Sequence, residues 1–342
     1  MKAVRYFGHK DVRIVHDLEK PTPTGDQVLV KIAGAGVCHS DLHIIDEGTI
    51  PAGNTFTLGH ENAGYVEATG PNVTGFKAGD AVLVYGPWGC GHCKPCLQSF
   101  ENYCDHQAEQ AFGGGLGLDG GMAEYMLVPH SRLLVAIHDL DPVIAAPLTD
   151  AALTPYSAIK RSAHKLTPDE FVVVIGVGGL GHIAIQLLKA TSGATIIACD
   201  VTQEKLEFAR SLGAAYAINS KDADAAEQIK KITGVKKAKV ILDFVGATPT
   251  VTMGAKVVSL NGDHTVVGLG GVNYPFTYGN ITFGTNLSMP YWGSKAELEE
   301  VVGLARQGKI HVEIEKFPMD QILDVYDRMR AGQLKGRAVL VP

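Results

Sequence analysis

Residues 171–200, FVVVIGVGGLGHIAIQLLKATSGATIIACD, constrain the fold more than any other stretch of the chain. An apolar run leads into Gly176, Gly178 and Gly181, spaced G-x-G-x-x-G. A helical pattern follows, then a second apolar run that ends on Asp200, 24 positions after Gly176. The glycine pattern alone is common. Set between strand and helix, with an acid at that distance, it is the fingerprint of a dinucleotide-binding βαβ unit. Gly176 allows the tight turn. Gly178 lets a pyrophosphate approach the backbone at a helix N-terminus, and Gly181 permits close helix–strand packing. Gly179 and Leu180 complete the loop, and Lys205, on the next helix, is assigned to the same cofactor site. Asp200 is expected to accept hydrogen bonds from the adenosine ribose hydroxyls. Its charge would repel a 2′-phosphate, and Val201 and Thr202 beside it supply no arginine, so NAD is expected rather than NADP. Cys199 reads as a core residue.

The texture of the chain changes around this unit. Residues 1–151 read as short strands broken by Gly and Pro, such as QVLVKIAGAGV, NAGYVEAT and GGMAEYMLVP, which predicts a β-rich domain. Residues 152–293 alternate apolar strands with helix-like runs, which predicts right-handed βαβ units around a doubly wound parallel sheet. YAINS, AKVILDFVG, GDHTVVGLG and NLSMPYWGS are its later strand candidates. Residues 294–342 open with an amphipathic helix, KAELEEVVGLARQG, and end on GRAVLVP, a strand expected to return to the first domain. The fold class is therefore α/β, a Rossmann domain joined to a β-rich one.

Bulk properties exclude several function classes. With 30 Lys+Arg against 36 Asp+Glu, the net charge of −6 argues against a nucleic-acid or anionic-membrane partner. The first residues contain no long apolar run and no window reads as a membrane span, so a cytoplasmic location is expected. Without export signals, cysteines gathered in one short segment read as metal ligands before disulfides.

That segment is CGHCKPCLQSFENYC, within an expected lobe at 88–106. Cys90, Cys93, Cys96 and Cys104 can close a tetrahedral shell on zinc with no open position, a structural site. An iron–sulfur cluster is the competing metal reading. His92 lies within the loop but is not needed as a ligand.

A second cluster, GVCHSDLH at 36–43, holds Cys38, His39, Ser40, Asp41 and His43. On an extended chain, neighbours point in opposite directions, so these residues cannot all bind one ion. A catalytic zinc takes about three protein ligands and leaves one position open. Cys38 is the soft ligand, and His60 in LGHENAG is the next candidate, with Glu61 beside it. A third ligand must come from farther along the chain. Asp150 in APLTDAALTPY would bring the ion to an interdomain cleft, although the same residue could cap the helix that follows.

Cys38, the GHE at 59–61, the four-cysteine lobe and GVGGLG occur in the same order and at similar spacing in the zinc-dependent medium-chain alcohol dehydrogenases, which the whole chain resembles. YGPWGCG, PLTDAALTPY, VIGVGGLGH, DFVGA and PYWGS are similar to the bacterial secondary-alcohol dehydrogenases in particular. The resemblance implies a GroES-like catalytic domain beside the Rossmann domain, and two zinc ions per chain. It implies catalytic zinc at Cys38, His60 and Asp150, with Glu61 as neighbour or alternate ligand. Asp150 departs from the best-known members, which have cysteine there, and from the Cys2His site for which alcohol dehydrogenase is the usual example. The resemblance further implies that Ser40 contacts the substrate oxygen, that His43 passes its proton on, and that Asp41 fixes the tautomer of His60. His39 would lie near the pyrophosphate. Thr154, Phe244, Val245, Gly246, Gly268 and Leu269 would border the nicotinamide, and Trp88, Leu116, Tyr291 and Trp292 would line the substrate pocket. The implied reaction is reversible oxidation of an alcohol, expected to be secondary, to a ketone or aldehyde with hydride transfer to NAD, and the aromatic pocket candidates suggest apolar, fairly bulky small-molecule substrates. Gly120 follows Cys104 by only 16 positions, a short connection that is similar to tetrameric members. Alternatives are a polyol or other dehydrogenase of the same family, or an NAD-binding structural protein.

Overall fold

The computed structural model describes residues 1–48, 55–107, 112–277 and 279–342. They form two compact units. One comprises Met1–Leu153, Ser294–Arg306 and Val312–Pro342; the other comprises Thr154–Gly293 and Gln307–His311.

The second unit is built on a six-stranded sheet in the order Tyr216–Asn219, Thr195–Asp200, Phe171–Ile175, Ala238–Asp243, Val258–Val266, Asn286–Ser288. Every neighbouring pair is parallel. Val172, Val173, Val174, Ile197, Ala198, Ile241 and Leu242 are fully buried, as expected of continuous apolar strands with both sheet faces covered. Helices Gly181–Thr191, Gln203–Leu212, Ala225–Thr233 and Thr248–Val257 connect the strands. The first strand, Phe171–Ile175, lies between Thr195–Asp200 and Ala238–Asp243. Strand order reverses at that point, and ligands of open α/β sheets bind at the carboxyl ends of the strands there.

Two sequence expectations are corrected in this part of the chain. NLSMPYWGS forms a strand only over Asn286–Ser288. Pro290 has no N–H to donate to a ladder, and Trp292 takes a left-handed backbone with φ 56°. Residues 307–311 also pack with the second unit, away from the rest of the C-terminal segment. There the Gln186 amide pairs with both backbone groups of His311, at 2.8 and 2.9 Å.

The first unit centres on a seven-stranded sheet. Along it run Leu134–Ala136, Ala81–Val84, Glu61–Thr69, Val28–Gly36, Arg337–Val341 and Ile314–Pro318, with Tyr125–Val128 also paired to Val28–Gly36. Its pairs are antiparallel except Ile314–Pro318 with Arg337–Val341. Val28, Val30, Ala63, Val82, Leu83, Val339 and Leu340 fill its core. Register decides what meets at one end. Gly36 stands opposite Glu61 on one side and opposite Val339 on the other, which brings the starts of two strands and the end of a third together. No helix among the described residues is long and apolar enough to cross a membrane.

Candidate metal centres and dinucleotide loop

The segment GVCHSDLH is not extended. Cys38 caps a helix that runs His39–Glu47, with the Cys38 N–H donating to Asp41 Oδ2 at 3.0 Å. The helical turn, rather than the alternation of a strand, sends side chains three or four apart to one side and neighbours to different sides. His39 is exposed. Asp41 turns inward and is fully buried, with Oδ1 3.3 Å from His60 Nδ1.

His60 owes its position to Gly59, whose φ of 96° suits glycine alone and whose added Cβ would lie 2.7 Å from the backbone nitrogen of Met122. On its far side, His60 Nε2 lies 3.6 Å from Asp150 Oδ2. Cys38 Sγ is 3.5 Å from the same oxygen. Cys38, His60, Glu61 and Asp150 are buried and present one donor atom each, all within 4.8 Å of one another. A thiolate, an imidazole and carboxylates gathered at this range form a donor set that fits a divalent zinc-type ion. Burial works to lower the pKa of His60, but Asp150 and Asp41 outweigh it and hold the imidazole well above its usual range.

Glu61 has its own partner, one that the sequence reading missed. Arg337, from the C-terminal strand, is buried and forms a two-pronged ion pair with Glu61: Nε donates to Oε2 at 2.9 Å and Nη2 to Oε1. The same Nη2 lies 3.4 Å from Asp150 Oδ2, and the Ala151 N–H donates to Glu61 Oε1 at 3.1 Å. Burial pushes Glu61 up to about 7, while Arg337 pulls against it. Gly36 leaves room for this carboxylate: a Cβ there would fall 1.9 Å from Glu61 Oε2.

Ser40 Oγ lies 3.6 Å from Cys38 Sγ. His43, one turn farther along the helix, is partly exposed, and its Nδ1 is 2.9 Å from Glu47 Oε1. Glu47 also escaped the sequence reading, although an acid four residues after a helical histidine is a legible pairing.

In the lobe, Cys90, Cys93, Cys96 and Cys104 bring their sulfurs within 4.8 Å of one another, and none forms a disulfide. Cys90 Sγ and Cys96 Sγ are 3.9 Å apart, and Cys93 Sγ and Cys104 Sγ 3.8 Å. Backbone N–H groups already point at the sulfurs: Cys93 N–H at Cys90, and those of Cys90 and His106 at Cys104. Burial acts to raise the Cys90 pKa, yet hydrogen bonds from the backbone of His92 and Cys93 lower it to about 6. Four sulfurs so arranged fit a closed tetrahedral ion. Glu101 ties the lobe down, accepting from the Gly89 N–H at 3.1 Å and pairing with Arg132, which in turn donates to the Gly89 carbonyl at 2.7 Å.

In the second unit, the glycines behave as three different residues. Gly176 has φ 89°; a Cβ on Gly181 would lie 1.7 Å from the Gly176 carbonyl; Gly178 faces open space. Gly179 and Leu180 lead into the Gly181–Thr191 helix, with Leu180 at its cap. Asp200 is buried and supports the loop, accepting from the N–H of Val177 and of Val201 at 2.7 Å each. Lys205 Nζ is 4.0 Å from Asp200 Oδ1. This cradle of glycine backbone, helix N-terminus and acid fits a dinucleotide. Phe244 and Val245 leave the strand that ends at Asp243, a residue not singled out in the sequence. Its Oδ1 accepts from the N–H of Val245 and Gly246 at 2.9 Å and so shapes that turn. Gly268 packs there as well, since a Cβ on it would come 2.2 Å from the Val245 carbonyl carbon. Val245 and Leu269 are exposed, and Thr154 is buried at the start of the unit.

The four pocket candidates fall in two groups. Trp88 is buried in the first unit with its indole N–H donating to the Tyr85 carbonyl, and Leu116 is half-buried there. Tyr291 and Trp292 lie in the second unit with their rings edge-on, 5.9 Å apart.

Known proteins resemble the chain over its whole length. Residues 24–139 match the alcohol dehydrogenase GroES-like domain and residues 179–307 the zinc-binding dehydrogenase domain. An NAD-dependent alcohol dehydrogenase of Sulfurisphaera tokodaii is 36% identical, with 100% of each chain covered. The crystal structure of the alcohol dehydrogenase of Aeropyrum pernix superposes with a TM-score of 0.92 at 36% identity, again over 100% of both chains. Acetophenone reductase of Geotrichum candidum, solved with NAD, gives a TM-score of 0.88 at 30% identity, over 100% of this chain and 97% of that one. The chain belongs to the zinc-dependent medium-chain alcohol dehydrogenase family.

Proposed function

We propose that this dehydrogenase interconverts secondary alcohols and ketones, with NAD as hydride carrier and a zinc ion held by Cys38, His60 and Asp150. The observation that carries the reading is the buried donor set itself, with the Ser40 hydroxyl beside it. When bound, zinc supplies a Lewis acid for the substrate oxygen, and the nicotinamide supplies the hydride acceptor.

The chain's own part is to orient these groups and to move one proton. Asp41 holds the His60 ring and leaves Nε2 as the ligand atom. Arg337 holds Glu61 by ion pairing and steadies Asp150. The Ser40 hydroxyl takes the proton that leaves the alcohol oxygen and hands it on toward His43, three residues later on the same helical face. His43 donates its Nδ1–H to the Glu47 carboxylate, which can only accept, so Nε2 is the nitrogen that receives the relayed proton. Asp200 favours NAD, because its buried charge opposes a 2′-phosphate. Gly176, Gly178, Gly179, Leu180 and Gly181 cradle the pyrophosphate, while Thr154, Phe244, Val245, Gly268 and Leu269 serve the nicotinamide end.

Support for ketones comes from the acetophenone reductase, whose named substrate is a ketone that reduces to a secondary alcohol. The pocket side chains are assigned to Trp88, Leu116, Tyr291 and Trp292 on this reading. A second zinc in the four-cysteine lobe and a homotetramer complete it; the tetramer rests on the short segment between Cys104 and Gly120. The test is NADH formation from 2-propanol and from ethanol, with NAD and NADP, before and after dialysis against a chelator. The reading expects 2-propanol and NAD to be preferred and activity to vanish with the metal. Preference for ethanol would overturn the secondary-alcohol assignment, and activity indifferent to the chelator would overturn the zinc.

A further inference from the structure

His92 and His106 have no part in the chemistry described so far, yet they do not lie apart. One donor atom each from Cys90, His92 and His106 lies within 4.8 Å of the others. The two imidazole rings tilt toward each other, with centroids 5.5 Å apart. His92 is exposed and His106 half-buried, so the set opens to solvent and has an entry path for an ion.

We propose that Cys90, His92 and His106 form a further metal site on the lobe, which takes a zinc-type divalent cation and shares the Cys90 thiolate with the four-cysteine site. Three lines carry this. The donors are one sulfur and two imidazole nitrogens, the mixture that zinc and its borderline neighbours select. His92 is oriented as metal-binding histidines are: its Nδ1 lies 3.1 Å from the Cys90 carbonyl. A carbonyl only accepts, so Nδ1 carries the proton and Nε2 presents a lone pair. Third, four thiolates around one divalent ion leave the lobe with an excess of negative charge, and a sulfur of such a centre keeps lone pairs for a second cation. Three protein donors leave a position for water, as in open zinc sites. Ligand distances of about 2.0–2.3 Å put tetrahedral donors about 3.3–3.8 Å apart, so separations of up to 4.8 Å must close by at most about 1.5 Å, which side chains at the surface of the lobe can do.

The proposal rests on the four-thiolate zinc of the preceding section, and the experiment separates the two. The untagged full chain is loaded with zinc, passed through gel filtration, and its metal counted by mass spectrometry. A His92→Gln/His106→Gln variant is treated in the same way; both side chains lie outside the core, and the single His92→Gln variant serves as a second probe. The wild type is expected to carry one zinc per chain more than either variant. If the lobe held no four-thiolate zinc, all three proteins would carry one fewer, but the difference between them would persist. Equal zinc content in wild type and variants overturns the proposal. As a second reading, wild type and double variant are each stripped of metal and loaded with cobalt alone, and the variant is expected to carry one cobalt fewer and to lose part of the thiolate-to-cobalt charge-transfer absorption. A lost cobalt with that absorption unchanged overturns the shared thiolate.

Discussion

At residue scale, the donor set at Cys38, His60 and Asp150 depends on side chains that are not donors themselves. Arg337 is the chief of these. It joins Glu61 across 276 positions of sequence and sits where two buried carboxylates would otherwise repel. Arg337→Met should leave them without a counter-charge and cost about 3–5 kcal/mol. Urea denaturation measures this, and adding Glu61→Gln should recover part of the loss. Asp200 is the second case. Asp200→Asn keeps the shape but loses the charge, so kcat/KM with NAD should fall roughly 10- to 100-fold while NADP gains, the loss of a hydrogen bond to a charged group. Steady-state kinetics with both cofactors checks it. Cys38, His60 and Glu61 were legible in the sequence by residue type and spacing. Asp150 emerged only as a distant candidate, and Arg337 not at all. A lone arginine in GRAVLVP carries no local sign that strand register will turn it inward.

At the scale of elements, legibility followed periodicity. The βαβ run could be read because parallel strands buried on both faces are continuous apolar runs, and the glycine loop because each glycine answers a steric demand. The helix capped by Cys38 was misjudged as extended, for the Asp41 side chain reaches back to the Cys38 N–H at its start, and cysteine is not among the preferred cap residues. The lobe makes a prediction of its own kind. Its sulfurs gather in a loop with little regular structure, only the short Lys94–Leu97 helix and a single turn after it, so the metal proposed there would supply much of its folding energy. Cys96→Ala should lose zinc from the lobe and lower the melting temperature by several degrees. The kcat of the protein that remains folded should change little, because the substitution touches none of the catalytic donors. Calorimetry with metal analysis decides this.

Across the whole molecule, one buried group sets an acid limit to stability independent of both metal sets. His264 lies fully inside the second unit, on the Val258–Val266 strand, and neither ring nitrogen has a hydrogen-bond partner there. Burial pushes its pKa down to about 4. The unfolded chain therefore binds a proton below its ordinary pKa of about 6.5 that the folded chain refuses until about 4. Stability is lost as pH falls through that window, by about 1.4 kcal/mol per unit from this group alone. His264→Leu should flatten the acid side of the curve between those values, and the difference between the variant's unfolding free energy and the wild type's should shift by that slope.

The central claim is that alcohol oxidation depends on the ion held by Cys38, His60 and Asp150. Its most direct test is the rate of NADH formation from 2-propanol by Cys38→Ala protein whose lobe retains zinc. A Lewis acid is worth several kcal/mol of barrier, so the rate should fall about 10³-fold or more. A rate within about tenfold of the wild type, less than about 1.4 kcal/mol of barrier, would contradict the account.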